Sequence, residues 1–209
     1  MNRNIRLRVF WGVQCFLILA INYAYADDSL NGIKNKCLSC HRYQVDGVVF
    51  RGPQLGGFSE GYILAQLYNF KEGRRGAGSS QPAAMADAVR DLTGQEFKNL
   101  AKWAASLDKE KIQGTLPPRM FSGAKLYADK CRGCHNSFMG RLMTGSPRLD
   151  YLSADYVARQ LNFFDQGFRS IRNPTKHQNK MKAVVQGLSP EDFGLIIDYI
   201  REMTISVKK

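Results

Sequence analysis

Long hydrophobic runs, proline and β-strand patterns are scarce in this chain of 209 residues. Only the stretch 9–21 is apolar for long enough to be considered as a membrane segment, which excludes a protein with several membrane spans. With 7 prolines and 19 glycines, a collagen-like or proline-rich rod is excluded as well. No segment alternates convincingly between apolar and polar residues, so strands are not predicted. The composition, 44% hydrophobic and 23% charged, is that of a globular protein.

The apolar run at the N-terminus has the three parts of a secretory signal peptide. Three arginines precede it, and Ala24-Tyr25-Ala26 follows it as a small-x-small cleavage site. Because the run is too short to span a bilayer, we predict a signal peptide over 1–26 and export to the periplasm, rather than an uncleaved anchor. Cleavage removes Cys15, three arginines and no acidic residue, so the net charge of +12 becomes +9.

The four remaining cysteines form two C-x-x-C pairs, and a histidine follows each pair directly. The two motifs are Cys37, Cys40 and His41, and Cys131, Cys134 and His135. Disulfides, a zinc site or a redox dithiol are the other uses of such pairs in an exported chain. In C-x-x-C-H, however, the two thiols add to the vinyl groups of haem and the histidine binds the iron. Since the motifs use every cysteine after the signal peptide, the sequence predicts two covalently bound c-type haems.

Both motifs belong to a unit of about 85 residues that occurs twice, the size of a small domain. An offset of 94 residues aligns the two motifs and also Pro53-x-Leu55 with Pro147-x-Leu149, Gln66-Leu67 with Gln160-Leu161, Phe70 with Phe164, Gly73 with Gly167 and Arg75 with Arg169. We therefore predict a first copy over 27–107, a linker over 108–118 that ends in two prolines, and a second copy over 119–209.

The predicted fold class is all-α, with two tandem helical domains, each wrapped around a covalently bound haem. Thr93-x-x-Glu96 is a capping box, and apolar residues recur at helical spacing after it. In the second copy Ser189 can cap a helix that starts at Pro190. Since units of this size have marginal hydrophobic cores, we expect the fold to depend on the haem.

The sixth ligand of the iron in an electron-transfer cytochrome c is usually methionine. Only Met85 and Met181 lie at matching positions, 44 residues after His41 and 46 residues after His135. Core packing is the ordinary role of a methionine, but the paired placement favours ligation. His177 competes with Met181 for the second iron, although it has no counterpart in the first copy. We predict Met85 and Met181 as iron ligands.

These residues resemble the dihaem cytochromes c of the cytochrome c4 type, which consist of two class I cytochrome c domains in tandem. The resemblance covers essentially 27–209 and rests on both C-x-x-C-H motifs, the Pro-x-Leu segments, the repeated Gln-Leu-x-x-Phe-x-x-Gly-x-Arg pattern and the methionine before a capped helix. It implies that the carbonyls of Pro53 and Pro147 accept the Nδ1 protons of His41 and His135.

The same resemblance implies that an aromatic residue of the last helix, Trp103 in the first copy and Tyr199 in the second, packs against the first helix of its domain. The second copy departs from the pattern by having Ser146 where the first copy has Gly52. The opening helix of the first copy, from about Ser29, is short. Neither departure affects a predicted ligand.

The expected function is that of a periplasmic one-electron carrier between redox partners of a respiratory chain, and not of an enzyme. His/Met ligation fills both axial positions of each iron, so no substrate can bind there. One alternative is a dihaem enzyme of the peroxidase or thiosulfate-oxidising type, which needs an open iron position or a spare thiol. Another is the electron-accepting cytochrome subunit of a dehydrogenase or oxidase complex, whose haem chemistry is identical.

The positive charge is concentrated in the segment 169–182, which leads into Met181. Its five basic residues, without an acidic one, are Arg169, Arg172, Lys176, Lys180 and Lys182. They predict a docking surface for an acidic redox protein or for a membrane oxidase or dehydrogenase, and anionic lipid would bind the same charges. The other interpretations of this segment are a solvated basic loop and an arginine, Arg169, that a haem propionate holds. We expect a monomer, and no nucleic-acid partner because the chain is exported without a binding motif.

Overall fold

The computed structural model describes residues 30–41, 52–75, 80–107, 121–169 and 174–205. They belong to two compact units, 1–41 and 42–209. The predicted signal peptide and the predicted linker lie outside the described residues. The division into domains at 107 and 119 therefore stays a prediction.

Helices make up the regular structure of both units. The first unit contributes α1, over 30–41. The second unit contains α2 Glu60–Lys71, α3 Ser80–Val89, α4 Gly94–Ser106, α5 Phe121–Tyr127, a π-helical turn Ala128–Arg132, α6 Gly133–His135, α7 Phe138–Thr144, α8 Ala154–Asp165, α9 Lys176–Gln186 and α10 Pro190–Ile205. Among the described residues the β-structure is limited to one isolated antiparallel bridge, between Arg75 and Arg169. The predicted all-α class is confirmed.

Side-chain caps fix where the helices begin. The capping box predicted at Thr93 and Glu96 is present at the start of α4. Ser189 accepts a hydrogen bond from the first turn of α10, as predicted. Ser59 and Ser153, at matching positions of the two copies, cap α2 and α8 in the same way. Each cap satisfies a backbone N–H that the helix leaves without an internal partner.

Leu107 and Phe193 are half-buried, and the other apolar residues predicted at helical spacing on the last helix of each copy are buried. They comprise Phe97, Leu100, Ala101 and Ala104 on α4, and Ile196, Ile197 and Ile200 on α10. Phe97 is fully buried, and the Tyr68 ring of α2 meets it edge-on, with 5.0 Å between the ring centres. Helix α2 packs on α4, and α5 and α8 pack on α10, so these apolar residues form the core of the second unit.

A glycine controls the crossing of the first and last helices of the second copy. A Cβ atom on Gly123 of α5 would lie 2.6 Å from the carbonyl oxygen of Leu195 on α10. Beside this crossing, the buried Tyr199 ring lies 5.2 Å from the Tyr127 ring, which confirms the expected packing of the last-helix aromatic. The corresponding prediction for Trp103 involves α1, which belongs to the other unit, and stays a prediction.

The sequence reasoning missed three helices and one local distortion. It did not predict α3, α7 or α9, although α9 begins with a capping box at Thr175 and Gln178. The helix that begins with α5 changes to π geometry at Ala128. None of the described helices combines the length and the apolar character that crossing a membrane requires.

Gly123→Ala would push a methyl group against the Leu195 carbonyl and force α5 away from α10. We expect the free energy of unfolding to fall by about 1–3 kcal/mol. Gly194→Ala on α10 is the matched control, because its Cβ atom would meet nothing within 4 Å; a gain of about 0.5–1 kcal/mol is expected there. Thermal unfolding of the haem-loaded protein measures the stability of both variants. Equal losses of stability in the two variants would contradict the expectation that the close contact at Gly123 sets the crossing of α5 and α10.

Candidate haem site

The second C-x-x-C-H motif lies where α5 passes through the π-helical turn into α6. A π turn holds more residues than an α turn and occurs frequently at functional sites. Cys131 lies in this turn and Cys134 in α6, and both are half-buried with free thiols. Burial raises the pKa of the Cys131 thiol to about 11, and Cys134 adds to the shift. The two thiols are thus held three residues apart on one turn of backbone.

His135 is oriented by a single hydrogen bond. Its ring is buried, and Nδ1 lies 2.8 Å from the carbonyl oxygen of Pro147, the contact that the resemblance implies. A carbonyl can only accept, so Nδ1–H donates and Nε2 keeps its lone pair. Burial lowers the pKa of His135, which favours the neutral ring. A neutral imidazole with a free Nε2 lone pair is the form that binds iron.

Neighbouring side chains hold the backbone around His135. The Tyr127 hydroxyl donates to Asn136 Oδ1 over 2.6 Å, and the N–H groups of Asn136 and Ser137 donate to the Arg132 carbonyl. Gly140 of α7 packs directly on the backbone of the motif, where a Cβ atom would clash. Sequence reasoning did not identify these residues, because single polar residues and glycines carry no distinctive spacing.

This set of side chains fits a c-type haem. It offers two free thiols at the motif spacing and a neutral, oriented histidine next to them. Within the described ranges, no three His, Cys, Asp or Glu side chains gather into a group that could hold a metal ion by themselves.

The first motif lies at the end of α1. His41 is the last described residue of that helix, and Cys37 and Cys40 precede it on the same turn. Burial raises the pKa of the Cys37 thiol, whereas Cys40 is exposed. Pro53 belongs to the other unit, so its hydrogen bond to His41 stays a prediction.

The two candidate methionine ligands lie in matching helices. Met85 is on α3 and Met181 on α9, and both are half-buried. His177 is one turn before Met181 on α9 and is exposed. The difference in burial favours Met181 over His177 as a ligand of a buried iron, and both methionine assignments stay proposals.

The basic segment 169–182 does not form one surface. Arg169 is half-buried, and its guanidinium lies 4.4 Å from the centre of the Phe164 ring. Lys176 and Lys180 are exposed on α9, whereas Arg172 lies outside the described residues. Lys182 is half-buried, and the Arg169 guanidinium lies against the Phe164 ring, so the exposed basic charge of this segment is that of Lys176 and Lys180 among the described residues.

Comparisons with known proteins agree with the two motifs. The cytochrome c family model matches residues 32–108, and the model described as cytochrome c oxidase, cbb3-type, subunit III matches 118–200. Cytochrome c4 of Thiocapsa roseopersicina is 30% identical over 83% of this chain and 88% of its own, and cytochrome c4 of Pseudomonas aeruginosa is 29% identical over 79% and 82%.

Two further proteins are similar over comparable lengths. A thiosulfate dehydrogenase electron acceptor of Stutzerimonas stutzeri is 26% identical over 84% of this chain and 82% of its own. The solved structure of cytochrome c4 from Acidithiobacillus ferrooxidans superposes with a TM-score of 0.59 and 20% identity over 80% of this chain and 98% of its own, which supports the fold.

The helical fold, the repeated motif and the oriented histidine define a c-type cytochrome with two covalently bound haems, a class of protein that transfers electrons. The two family models match one half of the chain each, which agrees with the duplicated unit predicted from the sequence. The chain belongs to the cytochrome c4 family.

Proposed function

We propose that the chain is a periplasmic one-electron carrier between redox proteins of a respiratory chain, and that it is not itself an enzyme. The observation that carries this proposal is the second motif, where two free thiols adjoin a neutral histidine whose Nδ1 proton is held by Pro147. A bound haem supplies the one-electron Fe(III)/Fe(II) couple. The residues of the chain attach, orient and enclose it.

Cysteine thiols and histidines provide the attachment in this proposal. Cys37 and Cys40 form the thioether bonds of one haem, and Cys131 and Cys134 those of the other. His41 and His135 are the proximal iron ligands. The hydrogen bond from His135 to Pro147 fixes the ring plane and makes Nε2 a stronger donor to the iron. Pro53 has the same role for His41.

Met85 and Met181 complete the two iron sites. A thioether ligand favours ferrous iron and raises the reduction potential, which suits a carrier working at high potential. Both methionines are half-buried on corresponding helices, and the exposed His177 is the poorer candidate. With protein ligands on both sides of each iron, no position is left for a substrate, which is the reason for proposing a carrier.

A second candidate function is the electron-accepting partner of one particular dehydrogenase. The similarity to a protein named as the electron acceptor of a thiosulfate dehydrogenase favours this alternative. Purification distinguishes the two, because a free carrier is recovered as a soluble monomer without detergent, whereas a subunit copurifies with its enzyme.

Haem attachment is tested by mass and by cysteine replacement. The mature protein should be heavier than its polypeptide by two haems, and acid–acetone should not extract them. The double replacement of Cys37 and Cys40 by alanine should remove one haem and unfold the first copy, because the haem supplies most of that core. A variant that lacks this haem and keeps its full helix content by circular dichroism would contradict the expectation.

The methionine assignments predict one spectral change per variant. Met85→Ala and Met181→Ala should each abolish the Met–Fe(III) charge-transfer band of one haem and lower its midpoint potential, because a harder ligand replaces the thioether. His177→Ala is the matched control and should leave the band intact. If His177→Ala rather than Met181→Ala perturbs the second haem, the assignment of Met181 is wrong.

The exposed lysines of α9 supply a docking charge near the second haem in this proposal. Lys176 and Lys180 are exposed, and the helix carries no acidic residue. Exposed charges of one sign steer an oppositely charged partner and raise the association rate. We therefore propose that acidic redox partners dock on the α9 side of the second copy.

Reversal of Lys176 and Lys180 to Glu should slow electron exchange with the anionic oxidant hexacyanoferrate(III) about tenfold at low salt, since steering effects are of this order or larger. The rate for the unmodified protein should fall as salt screens the charges, whose reach is about 10 Å at 0.1 M. Reversal of Lys98 and Lys102, an exposed pair with the same spacing on α4, is the control. Equal slowing by both pairs would mean that net charge, rather than the α9 surface, controls the rate.

A further inference from the structure

The segment that supplies the Pro147 carbonyl is tied back to the second motif through α7. Gly140 of this helix packs directly on the backbone of the motif. Gly145, with φ +64° in the left-handed region, ends the helix and turns the chain towards the proline. Helix α7 thus connects the motif that carries His135 to the carbonyl that accepts a hydrogen bond from the same histidine.

Two hydroxyl groups complete the connection between α7 and Pro147. Thr144 Oγ1 lies 2.7 Å from the Gly140 carbonyl oxygen and 2.7 Å from Ser146 Oγ. Because a carbonyl can only accept and a hydroxyl has one proton, Thr144 donates to Gly140 and the Ser146 hydroxyl donates to Thr144 Oγ1. The Ser146 N–H also donates to Thr144 Oγ1, over 3.3 Å. Since Ser146 directly precedes Pro147, this chain of hydrogen bonds reaches the residue that orients His135.

These contacts form a closed loop around His135. The loop runs from the motif backbone to Gly140, through the hydroxyls of Thr144 and Ser146 to Pro147, and back to Nδ1 of the histidine. Both hydroxyl residues are half-buried, where a hydrogen bond is stronger than in water and the loss of one is costly. Side chains outside the motif therefore determine where the Pro147 carbonyl lies.

The residue on the other side of Pro147 is held separately. Arg148 Nε donates to Asp150 Oδ1 over 2.8 Å, and the Arg148 guanidinium lies 4.4 Å from the centre of the Tyr151 ring. Leu149, the next residue, is buried. With this side of the segment fixed, removal of a hydroxyl would change the direction of the Pro147 carbonyl rather than release the whole segment.

The first copy lacks both hydroxyls. At the offset of 94 residues, Phe50 and Gly52 stand where the second copy has Thr144 and Ser146. Neither phenylalanine nor glycine has a side-chain group that forms such a hydrogen bond. The departure of Ser146 from the pattern shared by the two copies therefore belongs to a device that only the second copy has.

We propose that Thr144 and Ser146 are positioning residues for His135, which align the Pro147 carbonyl with Nδ1–H and thereby lower the reduction potential of the second haem. This inference rests on the proposed haem attachment. A well-aligned hydrogen bond from Nδ1 makes the imidazole a stronger donor to the iron, and a stronger donor stabilises the ferric state. Misalignment of the carbonyl should therefore raise the potential of this haem alone.

The test compares Ser146→Ala and Thr144→Val with the unmodified holoprotein. The chain has three histidines, so with isotope-labelled histidine the Nδ1–H group of His135 can be followed by NMR. In the reduced protein we expect the exchange of this proton with solvent to become up to about tenfold faster in either variant, which corresponds to the loss of one hydrogen bond. A redox titration followed by the histidine signals should show a raised midpoint potential for the second haem and an unchanged one for the first.

Three further variants separate positioning from stability. Thr144→Ser keeps the hydroxyl and should restore both the exchange rate and the potential. Ser189→Ala removes a hydroxyl that caps α10, so it lowers stability without touching the loop and should change neither measurement. The double variant of Ser146→Ala and Thr144→Val should show no more than the larger single effect, because both substitutions break one chain of hydrogen bonds.

Each outcome decides the proposal. Unchanged exchange and potential in Ser146→Ala and Thr144→Val, with both haems bound, overturn it while the proposed function stands. Equal changes in Ser189→Ala would mean that stability alone controls both measurements, and additive effects in the double variant would mean that the hydroxyls act separately; either result overturns the proposal. Absence of haem from the unmodified protein defeats the proposed function instead. If Ser146→Ala fails to fold, Thr144→Val and its rescue by Thr144→Ser carry the same test.

Discussion

The hydrogen bond from His135 Nδ1 to the Pro147 carbonyl is the constraint on which the haem chemistry of the second copy depends. It fixes the tautomer with Nε2 unprotonated, while burial lowers the pKa of the ring and keeps it neutral, so that Nε2 can serve as an iron ligand. The elements around it maintain this geometry. The π turn presents Cys131, α7 packs on the motif through Gly140, and the Tyr127–Asn136 contact holds the residue after the histidine.

The duplication adds a constraint that one copy alone would not have. The Gln-Leu-x-x-Phe-x-x-Gly-x-Arg pattern places one glutamine and one arginine at the same point of each copy, and in the fold these four side chains meet. The glutamine oxygens satisfy some of the guanidinium protons, but they contribute no negative charge. The contact between these parts of the two copies is therefore held by polar groups and carries two positive charges.

Local signals in the sequence predicted the chemistry and much of the fold. The spacing of Cys131, Cys134 and His135 indicates haem by itself, and the capping residues mark the start of α4 and α10. The inward turn of Arg169 could not be predicted from its own segment, because neighbouring lysines made it look like part of an exposed basic run. Its burial depends on Gln66, which is more than a hundred residues away along the chain. The repeated pattern contained that information, but only the fold shows that the two copies of it touch.

Four basic residues of the second unit thus form two pairs with different surroundings. Arg75 is buried and Arg169 is half-buried, and the glutamines of both copies accept hydrogen bonds from them, so salt screens their charges weakly. Lys176 and Lys180 are exposed to solvent, so they act on encounter with a partner, and salt weakens that effect. Because the two pairs respond differently to ionic strength, the contact between the copies and the encounter with a partner can change independently. Surface substitutions on α9 can then change the encounter with a partner while the arginine pair keeps the two copies in contact.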